Sequence, residues 1–217
     1  MPTARVAIPV GFTLRLPESW LEFDIWRATR TKDLPRLLDA RIEQDPELTR
    51  HRGVLLKALR QAATDAERQG AVFCAAMLDP VEDAGMLVAT VMVFHTDGAA
   101  DPANNAPEVI ASQVSAVSQA EGVPQWRRVA MVEIPAGRAV RVQGVETVAL
   151  GARALDCVVM QTLVPVPEGR GVLNVVLTSP QVELTESLLD LFDAISSTLT
   201  WSARPAEGEN GSGMSLN

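Results

Sequence analysis

The two histidines are the first residues to test for chemistry, because imidazole binds metals and transfers protons near neutral pH. His51 lies in the basic stretch TRHRG, which predicts a surface position. His95 ends an apolar strand-like run in VFHTD, where it fits a ligand or a base, or a histidine that is hydrogen-bonded or solvated at a strand end. We favour the last interpretation. The two histidines have neither an HExxH motif nor paired spacing, so we predict no metal and no cofactor.

Other catalytic and phosphate-binding patterns are missing from the sequence. There is no GxSxG, GxGxxG or P-loop pattern. The stretch PEGRGVLN places Gly169 and Gly171 around Arg170, as a phosphate loop would. No helix start follows it, which favours a hairpin turn. Asp190 and Asp193 are three residues apart in LLDLFD, and a solvated helix face explains them. We therefore predict no catalytic residue, and a chain that is not an enzyme.

Cys74 and Cys157 lie in the apolar runs AVFCAAML and ALDCVVMQ. Such positions are typical of small buried side chains, although a disulfide between the two stays open on sequence alone. The start, MPTARVAIPVGF, lacks a basic stretch followed by an apolar run, so the sequence predicts no secretory signal. No apolar run reaches the roughly 18 residues of a membrane span. We expect a reduced, cytoplasmic protein.

Charge is unevenly distributed along the 217 residues, whose net charge is −8 and whose pI is about 4.8. This balance disfavours nonspecific binding of nucleic acid. Residues 27–60 nevertheless contain nine Lys and Arg against five Asp and Glu, whereas residues 61–126 contain one Arg against nine acids. Solvated helix faces explain the basic segment, and a docking face for an acidic protein partner is the sharper interpretation. The candidate protein-binding residues are Arg36, Arg41, Arg50, Arg52, Lys57 and Arg60.

The chain's first elements are strands. In FTLRLPESW, apolar and polar residues alternate from Phe12 to Leu16, which indicates a half-buried strand that Pro17 ends. Residues 21–29 alternate again and predict a second strand, with Leu21, Phe23 and Ile25 on one face.

Two helices are expected next. Asp33 is a plausible N-cap for a short helix whose inward side chains are Leu34, Leu37, Leu38 and Ile42. Asp45 followed by Pro46 indicates a new start, and the helix runs to about Gln69, where Gly70 ends it. Its predicted inward stripe is Leu48, Leu55, Leu59, Ala62 and Ala66.

From Gly70 the pattern becomes strand-like. Residues 71–79 and 85–97 predict a hairpin, and a helix then runs from Asn105 or Ala106 to Gln119. Four further strand-like runs follow, with turns at 135–137 and 167–169. Residues 182–201 show apolar side chains at spacings of three and four, which predicts an amphipathic helix that Trp201 ends.

The predicted order of elements is ββααββαββββα. Short turns require antiparallel neighbours, so the sheet should be mainly antiparallel. Residues 86–94 are nearly all apolar, which suits a central strand covered on both faces. The expected class is therefore α+β, a helix–sheet–helix sandwich formed by residues 1–201 as one domain, with residues 202–217 as a disordered polar tail.

A strand followed by L-P-x-x-W resembles the start of the Mog1/PsbP-like fold, which includes the actinobacterial LpqN-type lipoproteins and the DUF1795/DcrB-like proteins. The closing stretch VVMQTLVPVPEGRGVLNVVLTSP and the helix LLDLFDAISSTLTW resemble the family's last hairpin and helix. The resemblance covers most of residues 10–201. The sequence shows no signal peptide or lipidated cysteine like those of LpqN-type members, so we expect it to lie nearer the cytoplasmic branch, some of whose members act as chaperones or adaptors for secreted effectors.

The resemblance implies no shared catalytic residues. Together with the motif search, it predicts a non-enzymatic protein-interaction module, with an adaptor or chaperone for a secretion-related client as its most specific form. The alternative is a small-ligand-binding protein or enzyme with a pocket near His95. A deep pocket with convergent polar groups around His95 would distinguish the two.

Overall fold

The structure is a computed structural model that describes residues 11–26, 30–81, 85–99, 101–118, 127–150, 153–169 and 171–202. Its strands are β1 (Gly11–Thr13), β2 (Trp20–Glu22), β3 (Phe73–Val81), β4 (Gly85–Thr96), β5 (Arg128–Ile134), β6 (Gly137–Leu150), β7 (Arg153–Pro165), β8 (Val172–Ser179) and β9 (Thr200–Ser202). Its α-helices are α1 (Arg30–Gln44), α2 (Arg52–Gln69), α3 (Pro107–Ser118) and α4 (Thr185–Ser196). Short 3₁₀ turns at Pro46–His51, Pro102–Asn105, Pro167–Gly169 and Val182–Leu184 join several of them.

Seven strands form the main sheet in the order β2-β3-β4-β8-β7-β6-β5, and all neighbours are antiparallel. The connection through α3 carries the chain from β4 to the far edge, and β5 to β8 then return as a meander. Strand β8 thereby closes the sheet against β4. The predicted α+β class with a mainly antiparallel sheet is confirmed.

Helix α4 covers one face of this sheet. Leu188, Phe192 and Ile195 are buried in a core that includes Val91 and Val175 from the sheet. The helix forms because its apolar residues recur at helical spacing, and burying that stripe is what stabilises it. The amphipathic helix expected in this region is therefore present and docked on the sheet.

Helices α1, α2 and α3 cover the opposite face. Leu34 and Leu38 of α1 and Leu55 and Leu59 of α2 are buried against Leu78 and its neighbours on β3. Ile110 of α3 packs at the other end of the same face, on Val140 and Val142 of β6. The expected sandwich with helices on both faces is confirmed.

The stretch FTLRLPESW is only partly a strand. Its ladder covers Gly11–Thr13 alone and pairs with β9 in a separate two-stranded sheet, although Phe12, Leu14 and Leu16 do share a half-buried side. A turn follows Pro17, whose carbonyl accepts from the Trp20 amide at 3.0 Å, and Trp20 then opens β2. Pro17 therefore separates two strands of different sheets.

The prediction that Trp201 ends the last helix is wrong. Helix α4 ends at Ser196, and Trp201 lies in β9 opposite Phe12. The hydroxyls of Ser196 and Thr198 donate to the Phe192 and Ile195 carbonyls at 2.8 and 2.7 Å. Such local bonds compete with helix continuation, and β-branched Thr198 and Thr200 favour extended backbone.

The first two helices also differ from expectation at their starts. Helix α1 begins at Arg30, so Asp33 lies within its first turn instead of capping it. Asp45 does act as an N-cap, accepting from the Glu47 amide at 3.2 Å, but it caps the 3₁₀ turn that precedes α2. Gly70 ends α2 at φ 77°, a left-handed conformation that glycine adopts without strain.

Among the helices that the structure describes, none is long and apolar enough to cross a membrane. Between β7 and β8, Pro167–Gly169 forms a 3₁₀ turn and the Val166 amide donates to the Gly171 carbonyl at 2.8 Å, as the hairpin interpretation of PEGRGVLN predicts; Arg170 lies outside the described residues. The predicted polar tail lies outside the described residues, apart from Ser202 in β9.

Candidate functional site

The six candidate protein-binding residues all lie on or between α1 and α2, and they fall into two groups. Four of them are exposed, and we call these four the basic surface: Arg36, Arg50, Lys57 and Arg60. The other two, Arg41 and Arg52, are less exposed and form ion pairs with acidic side chains of the same chain.

The two ion pairs fasten the helical layer. Arg41 Nη2 donates to Asp79 Oδ1 of β3 at 2.7 Å, which ties α1 to the sheet. Arg52 donates two hydrogen bonds to Asp39, from Nε to Oδ1 at 2.6 Å and from Nη2 to Oδ2 at 2.9 Å. This pair connects α2 to α1. This hydrogen bond to Arg52 holds the pKa of Asp39 below its ordinary value. Both arginines therefore connect elements of this chain, whereas binding of a partner by any of the six residues stays a prediction.

The structure places one histidine at the surface and buries the other. His51 is exposed and ends the 3₁₀ turn before α2. His95 is only 8% exposed near the end of β4, where a Cβ added to Gly171 would lie 2.9 Å from its Nε2. Neither of the two cavities that we describe in this chain is lined by His95. Within the described ranges, no group of three His, Cys, Asp or Glu side chains is placed to hold a metal ion.

Sequence reasoning missed a groove between α2 and the sheet, which we call the α2 groove. Its volume is about 260 Å³. Its floor is formed by Thr90, Met92 and Phe94 of β4, Val176 and Thr178 of β8, and Cys157 of β7. Ala58 and Ala62 of α2 form one wall. The even-numbered side chains of β4 from Met86 to Phe94 are thus half-buried, whereas Ala89, Val91 and Val93 on the α4 side are fully buried.

Few polar groups reach the α2 groove. On its floor, the hydroxyl oxygens of Thr90 and Thr178 are 2.7 Å apart across the β4–β8 pairing. At its α2 edge, Asp65 is 4% exposed, and its two oxygens accept from Gln61 Nε2 and Arg68 Nη2, each at 2.9 Å. The groove is therefore mainly apolar, with one hydroxyl pair, one compensated carboxylate and the amides of Gln61 and Gln69 along its α2 edge.

A second, more open cavity of about 330 Å³ lies beside β3, where the chain leaves β2. Trp26 and Cys74 are among its lining residues. The Trp26 indole donates from Nε1 to the Ala71 carbonyl at 2.9 Å, which holds the ring across this end of the sheet. We assign this cavity no role.

Both cysteines are buried free thiols, as one of the two sequence interpretations expected. Burial raises the pKa of Cys74 to about 12, and burial together with the neighbouring Asp156 carboxylate raises that of Cys157. A thiol needs its thiolate form to react, so these cysteines are poor nucleophiles.

We expect Cys74 to resist alkylation in the folded protein. With a pKa of about 12, its thiolate fraction at pH 8 is on the order of a thousandfold below that of a free cysteine. Timed iodoacetamide treatment with peptide mass mapping measures this rate. Alkylation of folded Cys74 as fast as the urea-unfolded chain would contradict the burial described here.

A buried charge under α4 was also missed. Arg141 of β6 is 7% exposed, pairs with the Asp193 carboxylate of α4, and donates from Nη2 to Ser196 Oγ at 2.9 Å. Removal from water lowers the pKa of Arg141. Asp190 and Asp193 are both exposed, as predicted, but Asp193 also pairs with the buried Arg141. The signal was present in the sequence, because Arg141 has the same phase on its strand as buried Ala139.

No protein-family model matches the chain, and no curated protein sequence matches it. Its structure is similar to the crystal structure of LpqN from Mycobacterium tuberculosis, a protein involved in cell envelope biogenesis. The two share 12% identity with a TM-score of 0.46, over 90% of this chain and 86% of that chain. The relation to DUF1795 proteins and the place of the chain nearer the cytoplasmic branch, both suggested by the resemblance, stay predictions.

Proposed function

We propose that the chain is a non-enzymatic protein-interaction module of the cytoplasm, and that the basic surface docks an acidic partner. One observation carries this proposal: four exposed cationic side chains share the α1–α2 layer of a chain whose net charge is −8. A positive patch on an acidic body attracts an acidic partner and orients it, while like charges elsewhere disfavour other approaches.

The helices that carry the basic surface are held in place, which makes this surface suitable for docking. The Arg41–Asp79 and Arg52–Asp39 pairs fix α1 and α2 against the sheet and each other. Lys57 and Arg60 then project from a helix that is already held in place, so less conformational freedom is lost when a partner binds. In its most specific form, the proposal is that the chain serves as an adaptor or chaperone for a secretion-related client.

The alternative function, a small-ligand-binding protein or enzyme with a pocket near His95, gains less support. His95 is buried at the end of β4 and packs beside Gly171. Neither described cavity reaches it. The absence of catalytic activity stays a prediction, and a purified protein containing stoichiometric zinc or iron would favour the enzyme instead.

We expect Lys57→Glu with Arg60→Glu to slow association with the partner several-fold at low salt. The partner is first identified by affinity capture and mass spectrometry, and association is then followed by stopped flow. Surface charges act mainly on the association rate, and the difference should shrink as the Debye length falls from roughly 10 Å at 0.1 M salt to 3 Å at 1 M. Exposed positions should leave the free energy of unfolding almost unchanged.

The matched control is Arg15→Glu with Arg128→Glu, two exposed arginines outside α1 and α2. Each pair replaces two positive by two negative charges, so both change the net charge from −8 to −12. Arg52 is avoided because it pairs with Asp39. Equal slowing by both pairs would show that only net charge matters, and unaltered rates for Lys57 and Arg60 would eliminate this surface.

A further inference from the structure

We propose that the α2 groove binds a small, uncharged, mainly apolar molecule of about ten non-hydrogen atoms that carries one hydrogen-bonding oxygen. This site is separate from protein docking, because none of the basic-surface residues lines the groove. Its position on the opposite side of the sheet from α4 also separates it from the buried Arg141–Asp193 pair.

The size of the ligand follows from the volume of the groove. An apolar cavity of about 150 Å³ holds one benzene, which has six carbon atoms. By proportion, about 260 Å³ holds roughly ten non-hydrogen atoms. The groove is smaller than the pockets of about 300–1,000 Å³ that take drug-sized molecules, so a fused bicyclic ring or a short branched chain is the appropriate scale.

The walls favour an apolar occupant. Met92, Phe94 and Val176 present hydrocarbon and thioether surface on the floor, and all three are only half-buried. On α2, Ala58 and Ala62 stand where larger residues would fill the space between helix and sheet. A bound molecule would complete the burial of these side chains, and removing such surface from water is favourable.

The hydroxyl pair supplies the polar contact on the floor of the groove. Either Thr90 or Thr178 can donate across their 2.7 Å separation, and whichever donates leaves the other hydroxyl hydrogen available. That hydrogen can be donated to an oxygen of the ligand, and the same pair offers lone pairs to a ligand hydroxyl. An alcohol or phenol therefore fits better than a pure hydrocarbon.

The electrostatics disfavour a charged ligand. Asp65 carries the only full charge among the described residues that line the groove, and both of its oxygens already accept hydrogen bonds. An anion would find no cationic side chain among the described residues that line the groove, and a cation would have to displace Gln61 or Arg68 from the carboxylate. Burying a charge without a partner is costly, so an uncharged molecule is favoured.

The test titrates the purified full chain with 2-naphthol, an uncharged bicyclic alcohol, and with 2-naphthoate, its anionic counterpart. We expect saturable one-to-one binding of 2-naphthol, and binding of 2-naphthoate at least about tenfold weaker. Ala62→Leu, which fills the groove, should weaken 2-naphthol at least about tenfold. Ala40→Leu is the matched control, because Ala40 is exposed on α1 and outside the groove. It should leave affinity within about twofold.

The two cysteines report where the molecule binds. Cys157 lies on the floor of the α2 groove, whereas Cys74 lines the second cavity. We expect 2-naphthol to slow the reaction of Cys157 with N-ethylmaleimide and to leave that of Cys74 unchanged, as measured by peptide mass mapping. Protection of Cys74 alone would place the molecule in the second cavity and overturn the proposal.

If Ala62→Leu fails to fold, a second variant tests whether 2-naphthol binds in the α2 groove. Thr178→Val keeps the shape of the floor and removes one hydroxyl, so it should weaken 2-naphthol about threefold to tenfold and leave naphthalene unaffected. Unchanged 2-naphthol affinity in a folded Ala62→Leu or Thr178→Val variant would refute the site, as would 2-naphthoate binding as tightly as 2-naphthol. Absence of saturable 2-naphthol binding up to its solubility limit would also refute it.

Discussion

Replacement of Phe192 by alanine is expected to lower the free energy of unfolding by about 3–5 kcal/mol. Phe192 is fully buried between α4 and the sheet, in the core that contains Leu188 and Ile195. The ring contributes its transfer free energy, and the space it leaves cannot be refilled by the surrounding strands, which are fixed by hydrogen bonds on both sides. Urea unfolding monitored by circular dichroism measures the change.

A second core variant and a surface control test the same interpretation. Leu188→Ala, on the same buried stripe, should cost about 2–5 kcal/mol. Val54→Ala should change stability by no more than about 0.5 kcal/mol, because Val54 is 72% exposed on α2. A urea midpoint that neither Phe192→Ala nor Leu188→Ala lowers would mean that α4 is not docked on this face.

The docking of α4 could be predicted from sequence because its signal is periodic and long. Leu188, Phe192 and Ile195 recur at helical spacing within a helix of 12 residues, a pattern typical of an amphipathic helix. The strands of the meander were equally accessible, because each is at least seven residues long and short turns fix their antiparallel order.

The pairing of β1 with β9 could not be predicted in the same way. Each strand has only three residues, which is too short for a period of two to be distinguished from chance. Phe12 and Trp201 also lie at opposite ends of the chain, so no turn specifies their register. Their pairing depends on where α4 ends, and that end is set by local hydroxyl bonds of Ser196 and Thr198.

The candidate sites, too, could be predicted only in part from the sequence. The sequence identified the arginines of α1 and α2 but could not show that Arg41 reaches Asp79, which is 38 residues away in the chain. The α2 groove depends on the distance at which α2 crosses β4 and β8. A pattern of alanines at 58 and 62 indicates a small-residue stripe, and only the three-dimensional placement shows that it borders a groove.

Arg141 is a charged residue at a buried position of its strand, and the structure shows how this charge is accommodated. Its strand phase places it on the buried side with Ala139, where a charged side chain is costly unless it is paired. Asp193 and Ser196 of α4 supply that pairing, so α4 is attached to the sheet by a polar contact inside an otherwise apolar interface. Within the described part of the chain, Arg141 Nε still has no hydrogen-bond acceptor.

We expect Asp193→Ala to lower the free energy of unfolding by about 2 kcal/mol. Removing one partner of a fully buried ion pair costs roughly 3–5 kcal/mol, because the other charge is left without compensation in a low-dielectric site. The cost here is smaller because the Asp193 side chain is 53% exposed and Ser196 continues to accept from Arg141. Asp190→Ala, an exposed acid on the same helix, is the matched control and should stay within about 0.5 kcal/mol.

The double variant Arg141→Met with Asp193→Ala should recover most of the stability that Asp193→Ala loses. Methionine is similar in length, needs no ionic partner and adapts to the space that Arg141 leaves, so the uncompensated charge and the unsatisfied Nε are removed together. The order of urea midpoints should therefore be Asp193→Ala lowest, with the double variant close to the unmodified chain. A double variant less stable than Asp193→Ala would mean that Arg141 stabilises the α4 interface through its packing and its bond to Ser196, independently of Asp193.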